Sequence, residues 1–102
     1  MDILLGHFTK TAKGRNSFEI WKGEADLILK IAFLLRDFGF TSGPLMSGLD
    51  GHYMDLVSNN IKLNLGWDIW SGLFLSAVNE EGDIWVNKLG EEINRKLRES
   101  FF

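Results

Sequence analysis

The stretch Ile61-Lys62-Leu63-Asn64-Leu65-Gly66-Trp67-Asp68 alternates apolar and polar residues, and Ile69-Trp70-Ser71-Gly72 and an apolar run over residues 73–78 follow directly. Period two with one apolar face is the pattern of a half-buried strand. Trp70-Ser71-Gly72 supplies the turn, and the largely apolar character of 73–78 predicts a central strand covered on both sides. The chain is therefore built on an antiparallel sheet.

Working outward, Asp50-Gly51 and Asn59-Asn60 are dipeptides that tolerate the positive backbone angles of tight hairpins, and residues 52–58 between them have the length of one strand. Downstream, Asn79-Glu80-Glu81-Gly82 ends the sheet. Val86, Leu89, Ile93 and Leu97 then recur at helical spacing, with Trp85 beside them and Glu91, Glu92, Lys96 and Arg98 opposite. This predicts a closing helix that starts near Asp83, with Gly90 marking a kink or a close contact. Upstream, Ala25, Ile28, Ile31, Ala32, Leu35 and Phe38 outline one buried helical face over residues 24–38, widened by Leu27 and Leu34. Gly39 marks its end. Its start is open between residue 17, where Asn16 and Ser17 can cap, and residue 24, after Gly23. Residues 1–8 read equally as a short strand or a helical turn. The expected fold is α+β: an antiparallel meander of three to four strands packed against an N-terminal and a C-terminal helix on one sheet face.

A chain of 102 residues has room for one hydrophobic core, so residues 1–102 are read as a single domain. The absence of cysteine excludes disulfides and thiolate metal sites and agrees with a cytoplasmic setting. Asp2 stands where a secretory leader carries positive charge, and His7, Lys10 and Lys13 interrupt what would be its apolar core. No apolar run approaches the roughly 20 residues that span a bilayer, so no membrane association is expected.

The net charge of −3 hides an uneven distribution. Residues 1–36 hold six basic against four acidic residues, and residues 88–99 hold four against three. Residues 37–87 hold Asp37, Asp50, Asp55, Asp68, Glu80, Glu81 and Asp83 against Lys62 alone. A one-signed surface speeds encounter with a partner of opposite sign and repels nucleic acid. Turn chemistry explains most of these acids singly, but not the near absence of lysine and arginine among them.

Catalytic motifs are not readable. Asp50-Gly51-His52-Tyr53-Met54-Asp55 is the densest cluster of titratable residues, yet on a strand His52 and Asp55 point to opposite faces. Neither histidine has the neighbours of a nucleophile's base, and the glycine spacing matches no phosphate loop or dinucleotide fingerprint. Lys10, Lys13 and Arg15 lack interleaved aromatics and read as a solvated loop. Neither a cofactor nor a metal is expected. Trp67 continues the apolar face of Ile61, Leu63 and Leu65 and belongs to the core. Trp70 has the opposite parity and lies beside Asp68 in a turn, where it either covers the end of the sheet or anchors a partner.

The strand over residues 61–67, the Gly66-Trp67-Asp68-x-Trp70-Ser71-Gly72 segment, the apolar strand after it and the closing helix resemble a small bacterial immunity protein of the polymorphic-toxin or contact-dependent growth inhibition type. The resemblance spans about residues 40–99. It implies a cytoplasmic, non-enzymatic protein that binds one cognate toxin domain and occludes its active site, and a basic nuclease toxin would suit an acidic inhibitor. It transfers no binding residue. The residues expected to face the partner, Asp50, Asp55, Asp68, Trp70, Glu80, Glu81 and Asp83, come from the charge and tryptophan pattern of this chain. Two other classes compete: a small hydrolytic or metal-dependent enzyme centred on His52 and Asp55, and a self-associating structural domain.

Overall fold

A computed structural model describes residues 5–99 as a seven-stranded antiparallel sheet with two helices. The elements in chain order are β1 (His7–Lys10), β2 (Asn16–Ile20), α1 (Leu27–Arg36), β3 (Thr41–Ser42), β4 (Met46–Ser47), β5 (Gly51–Ser58), β6 (Ile61–Asp68), β7 (Gly72–Ala77) and α2 (Glu80–Arg98). Across the sheet the strands run β1-β2-β7-β6-β5-β3, and β4 pairs with the same edge of β5 as β3. The fold is α+β.

Pairing partners in an antiparallel sheet point to the same side, so the register defines two faces. One face carries the rows Phe8-Phe18-Leu75-Leu65-Met54 and Ile20-Leu73-Trp67-His52. Phe18, Ile20, Leu63, Leu65, Leu73, Leu75, Met54 and Leu56 of this face join Ile28, Ile31 and Leu35 of α1 and Val86, Leu89 and Ile93 of α2 in one buried core. Both helices therefore cover the same side of the sheet. Phe40, just past α1, meets Trp85 of α2 edge-on with ring centroids 5.8 Å apart, closing the layer between the helices.

The alternation over 61–68, the Asn59-Asn60 hairpin and the buried stripe of α1 match expectation. Asn59 takes the left-handed conformation at φ 54°, and Ser58 pairs with Ile61. Several other expectations are corrected. There are seven strands rather than three or four, and the β1-β2 hairpin precedes α1, which is therefore not N-terminal in the fold. Asn16 and Ser17 do not cap a helix, because Phe18 and Ile20 alternate into the core and β2 pairs with β7. The helix begins at Leu27, with Asp26 before it. Phe38 is exposed; the chain turns at Gly39, where φ is 90°, and Phe40 enters the core in its place. Residues 7 and 8 belong to β1, while residues 1–4 lie outside the described part of the chain.

At the second hairpin Gly51 belongs to β5 itself, and the turn back to β4 runs through Gly48, Leu49 and Asp50, closed by the Gly48 N–H donating to the Gly51 carbonyl at 2.9 Å. β7 is covered on one side only, since Phe74 and Ser76 face away from the helices. α2 starts three residues earlier than Asp83. Asn79 is its cap, accepting from the Gly82 N–H at 3.1 Å, and Glu80, Glu81 and Asp83 fill the first turn where the helix dipole favours acid. Gly90 marks a close contact within a continuous helix: a Cβ there would stand 2.6 Å from Phe8 Cε1 and 2.7 Å from Phe18 Cδ1. Among the described residues no helix is long and apolar enough to cross a membrane.

Candidate protein-binding surface

The sheet face opposite the helices has no protein layer over it among the described residues. Its register divides it into chemically distinct rows. Thr9, Ser17, Ser76, Asn64 and Asp55 form a polar row in which the Ser17 and Ser76 hydroxyls are 2.7 Å apart and Asn64 Nδ2 donates to Asp55 Oδ1 at 3.3 Å. The neighbouring row is His7, Glu19, Phe74, Gly66, Tyr53 and Met46. It is aromatic. Tyr53 and Phe74 lean toward each other over Gly66 with ring centroids 6.1 Å apart, and His7 lies on the Trp21 ring at 4.7 Å. The indole N–H of Trp21 donates to Glu19 Oε1 at 3.0 Å, which fixes its ring above the end of β2.

This aromatic row leads to one end of the sheet, where β5 starts, β6 ends, β7 starts and β2 ends. The Ile69 N–H donates to the Asp50 carbonyl at 3.1 Å, joining the Gly48–Asp50 turn to the β6-β7 turn. Gly72, at φ 71°, abuts the carbonyls of Ile20 and Trp21 so closely that a Cβ would lie 2.4 and 2.5 Å from them. Three connections thus meet at this end, and each lifts large apolar side chains into solvent. Trp70 is 74% exposed and Leu49 103%, while Trp21, Ile69 and Met46 are also exposed. Scattered apolar residues are ordinary on a surface, but four large ones on adjoining connections, with Met46 of β4 beside them, are the composition of a contact patch.

The seven sequence-selected residues do not form one site. Asp50, Asp68 and Trp70 share the apolar end. Asp55 sits in the polar row toward the other end of β5. Glu80, Glu81 and Asp83 lie at the opposite end of the sheet, on the first turn of α2. Two of the acids have local structural work. Asp68 Oδ1 accepts from the N–H groups of Trp70 at 3.0 Å and Ser71 at 2.6 Å, so it shapes the turn that presents Trp70. Asp83 pairs with Arg15 at 3.1 Å and accepts from the Asn16 N–H at 2.8 Å, so it ties α2 to the β1-β2 hairpin. The acid of the central segment is therefore spread over two ends and one face, not concentrated.

No family model, curated protein or solved structure matches the chain.

His52 and Asp55 are on opposite faces of β5, as their spacing requires. His52 faces the helix side, 6.2 Å from the Trp67 ring and with Nδ1 2.8 Å from the Ser47 hydroxyl, while Asp55 bonds Asn64 on the open face. The backbone of β5 lies between them, so they cannot ligate one ion together. Among the described residues no three histidine, aspartate or glutamate side chains converge on a metal-sized site. The chemistry the open end offers is apolar and aromatic contact bordered by Glu19, Asp50 and Asp68, with Lys22 directly after Trp21. Sequence reasoning missed Trp21, Leu49 and Ile69. Leu49 carried a signal, being a large apolar residue enclosed by Gly48 and Asp50 in a predicted turn, where burial is not available.

Proposed function

We propose that this protein is a non-enzymatic binding module that recognises one protein partner through the apolar end of its sheet, and that the partner is a cognate toxin domain whose active site it occludes. The observation that carries the reading is the convergence of Trp21, Leu49, Ile69 and Trp70 on one end, with Asp50 and Asp68 beneath them. Tryptophan at the centre of an apolar patch is the commonest binding hot spot, and flanking acids favour a basic partner. The resemblance of the 61–78 segment and closing helix to bacterial immunity proteins supplies the class of partner and the cytoplasmic setting in which a basic nuclease would be neutralised.

The test is titration of the purified protein with the toxin domain encoded beside its gene, followed by calorimetry and by toxin activity. Trp70→Ala is expected to weaken the complex by about 30-fold or more, the cost of a hot-spot residue. A Glu80→Lys/Glu81→Lys variant, altered at the far end, is expected to bind within about threefold of the natural chain, since distant exposed charges are screened. Equal losses in both variants, or no complex with the adjacent gene product, would overturn this assignment.

A further inference from the structure

The inner side of α1 fills the core with Leu27, Ile28, Ile31, Ala32 and Leu35. Its outer side is not polar. Leu29 is 61% exposed and Phe33, one turn later, 70%. Asp26 and Arg36 flank them, so that the outward stripe reads Asp26, Leu29, Phe33, Arg36 at spacings of three, four and three. At about 100° per residue these four positions fall within an arc of about 80°, opposite the buried stripe. Three-four spacing is the seam along which helices pair.

The stripe is chemically self-complementary when reversed. Asp26 and Arg36 are equidistant from residue 31, and so are Leu29 and Phe33. A two-fold axis through that midpoint places Leu29 of each copy on Phe33 of the other, and Asp26 on Arg36 at both ends. An isologous contact requires this kind of self-complementarity. The surrounding charge agrees. Residues 22–37 hold Lys22, Lys30 and Arg36 against Glu24, Asp26 and Asp37, so the segment that carries the stripe has no net charge, although the chain as a whole carries −3. Within one copy Asp26 meets Lys30 at 3.6 Å and the Arg36 guanidinium lies 5.8 Å from the centre of the Phe33 ring. Both are exposed contacts of low strength, readily exchanged for contacts across a seam.

We propose that the protein self-associates as an antiparallel two-fold dimer through the outer stripe of α1. The proposal does not rest on the toxin reading. The seam lies on the helix side of the sheet, so a dimer leaves both open faces uncovered. A helix of 10 residues is about 15 Å long, which keeps the contact below the roughly 1,000 Å² of a stable interface and makes the dimer weak.

Sedimentation velocity at low salt, from about 10 µM to about 1 mM, spans the affinities expected of so small a contact. The weight-average mass is expected to rise from 11.6 kDa toward double that value. Asp26→Arg alone and Arg36→Asp alone each place like charges at both ends of the seam and are expected to weaken association at least tenfold. An equimolar mixture of the two restores opposite charges at both ends and is expected to form a heterodimer about as tight as the natural pair. Phe33→Glu associates with neither. A natural chain that stays at the monomer mass over the whole range, variants that dimerise as well as it does, or a mixture no more associated than its components would each overturn the proposal.

Discussion

Asn94 of α2 clasps the backbone of Gly6 from both sides: its Oδ1 accepts from the Gly6 N–H at 2.7 Å and its Nδ2 donates to the Gly6 carbonyl at 3.2 Å, both in the buried interior. The amide thereby satisfies two main-chain groups at the entrance to β1 and ties the two ends of the described chain together. Asn94→Leu keeps the branched shape but orphans both groups, each worth about 1–3 kcal/mol when buried without a partner. The variant is expected to lose about 2–4 kcal/mol in urea unfolding with an unchanged slope; a loss below about 0.5 kcal/mol would show that β1 docks without the clasp.

Gly66 is the gap that lets the aromatic row of the open face close. A Cβ at this position would stand 2.6 Å from the His52 carbonyl oxygen and 2.7 Å from Phe74 Cζ. The ring can swing aside, but the backbone of a paired strand cannot. Gly66→Ala is expected to destabilise the protein by about 1–3 kcal/mol, as overpacking does. Gly48, where a Cβ would meet nothing within 4 Å, is the control, and Gly48→Ala is expected to stay within about 0.5 kcal/mol of the natural chain by thermal unfolding.

What the sequence made legible follows from how local each signal is. The 61–68 alternation, the Asn59-Asn60 turn and the inner stripe of α1 are periodic patterns that need no distant partner to be read, and the structure carries all three. β2 was hidden because Asn16 and Ser17 are good caps taken alone. Only the pairing of residues 17–20 with β7, more than fifty positions away, makes them a strand. β3 and β4 are two residues each, too short for any period, and exist because β5 offers an edge. The acids of residues 37–87 looked like one surface because they are close in sequence. The chain crosses from one end of the sheet to the other with each of β5, β6 and β7, so Asp68 and Glu80 are separated by the full length of β7. The apolar end was illegible for the same reason, since Trp21, Leu49 and Ile69 come from three separate connections.

On α2, Arg95 lies between Glu92 and Glu99, hydrogen-bonded to both, at 3.0 Å from the Glu99 carboxylate. The Arg95 hydrogen bond holds the Glu92 carboxyl below its ordinary value of 4.5, against the opposing effect of burial. A carboxyl whose folded value is depressed contributes stability above its unfolded value and loses it as the pH falls through the folded one. Carboxyl NMR titration is therefore expected to place the Glu92 midpoint below 4.5, and Arg95→Gln is expected to raise it toward that value. Because the pair is exposed, the accompanying change in helix stability is small.

Trp67 and Trp70 stand three residues apart and are expected to behave oppositely. Trp67 packs against the core, stacks near His52 at 6.2 Å and donates its indole N–H to the Gly23 carbonyl at 2.9 Å, which pins the loop before α1 to the end of β6. Trp67→Ala removes apolar contact and leaves that carbonyl without its donor, so a loss of about 3–5 kcal/mol is expected. Trp70 is held up by the Asp68 turn and touches solvent over most of its surface, so Trp70→Ala is expected to cost no more than about 0.5 kcal/mol. Chemical unfolding of the two variants separates the roles before any partner is added. If Trp70→Ala were as destabilising as Trp67→Ala, the β6-β7 turn would be part of the core, and a loss of partner binding in that variant would no longer report on a contact.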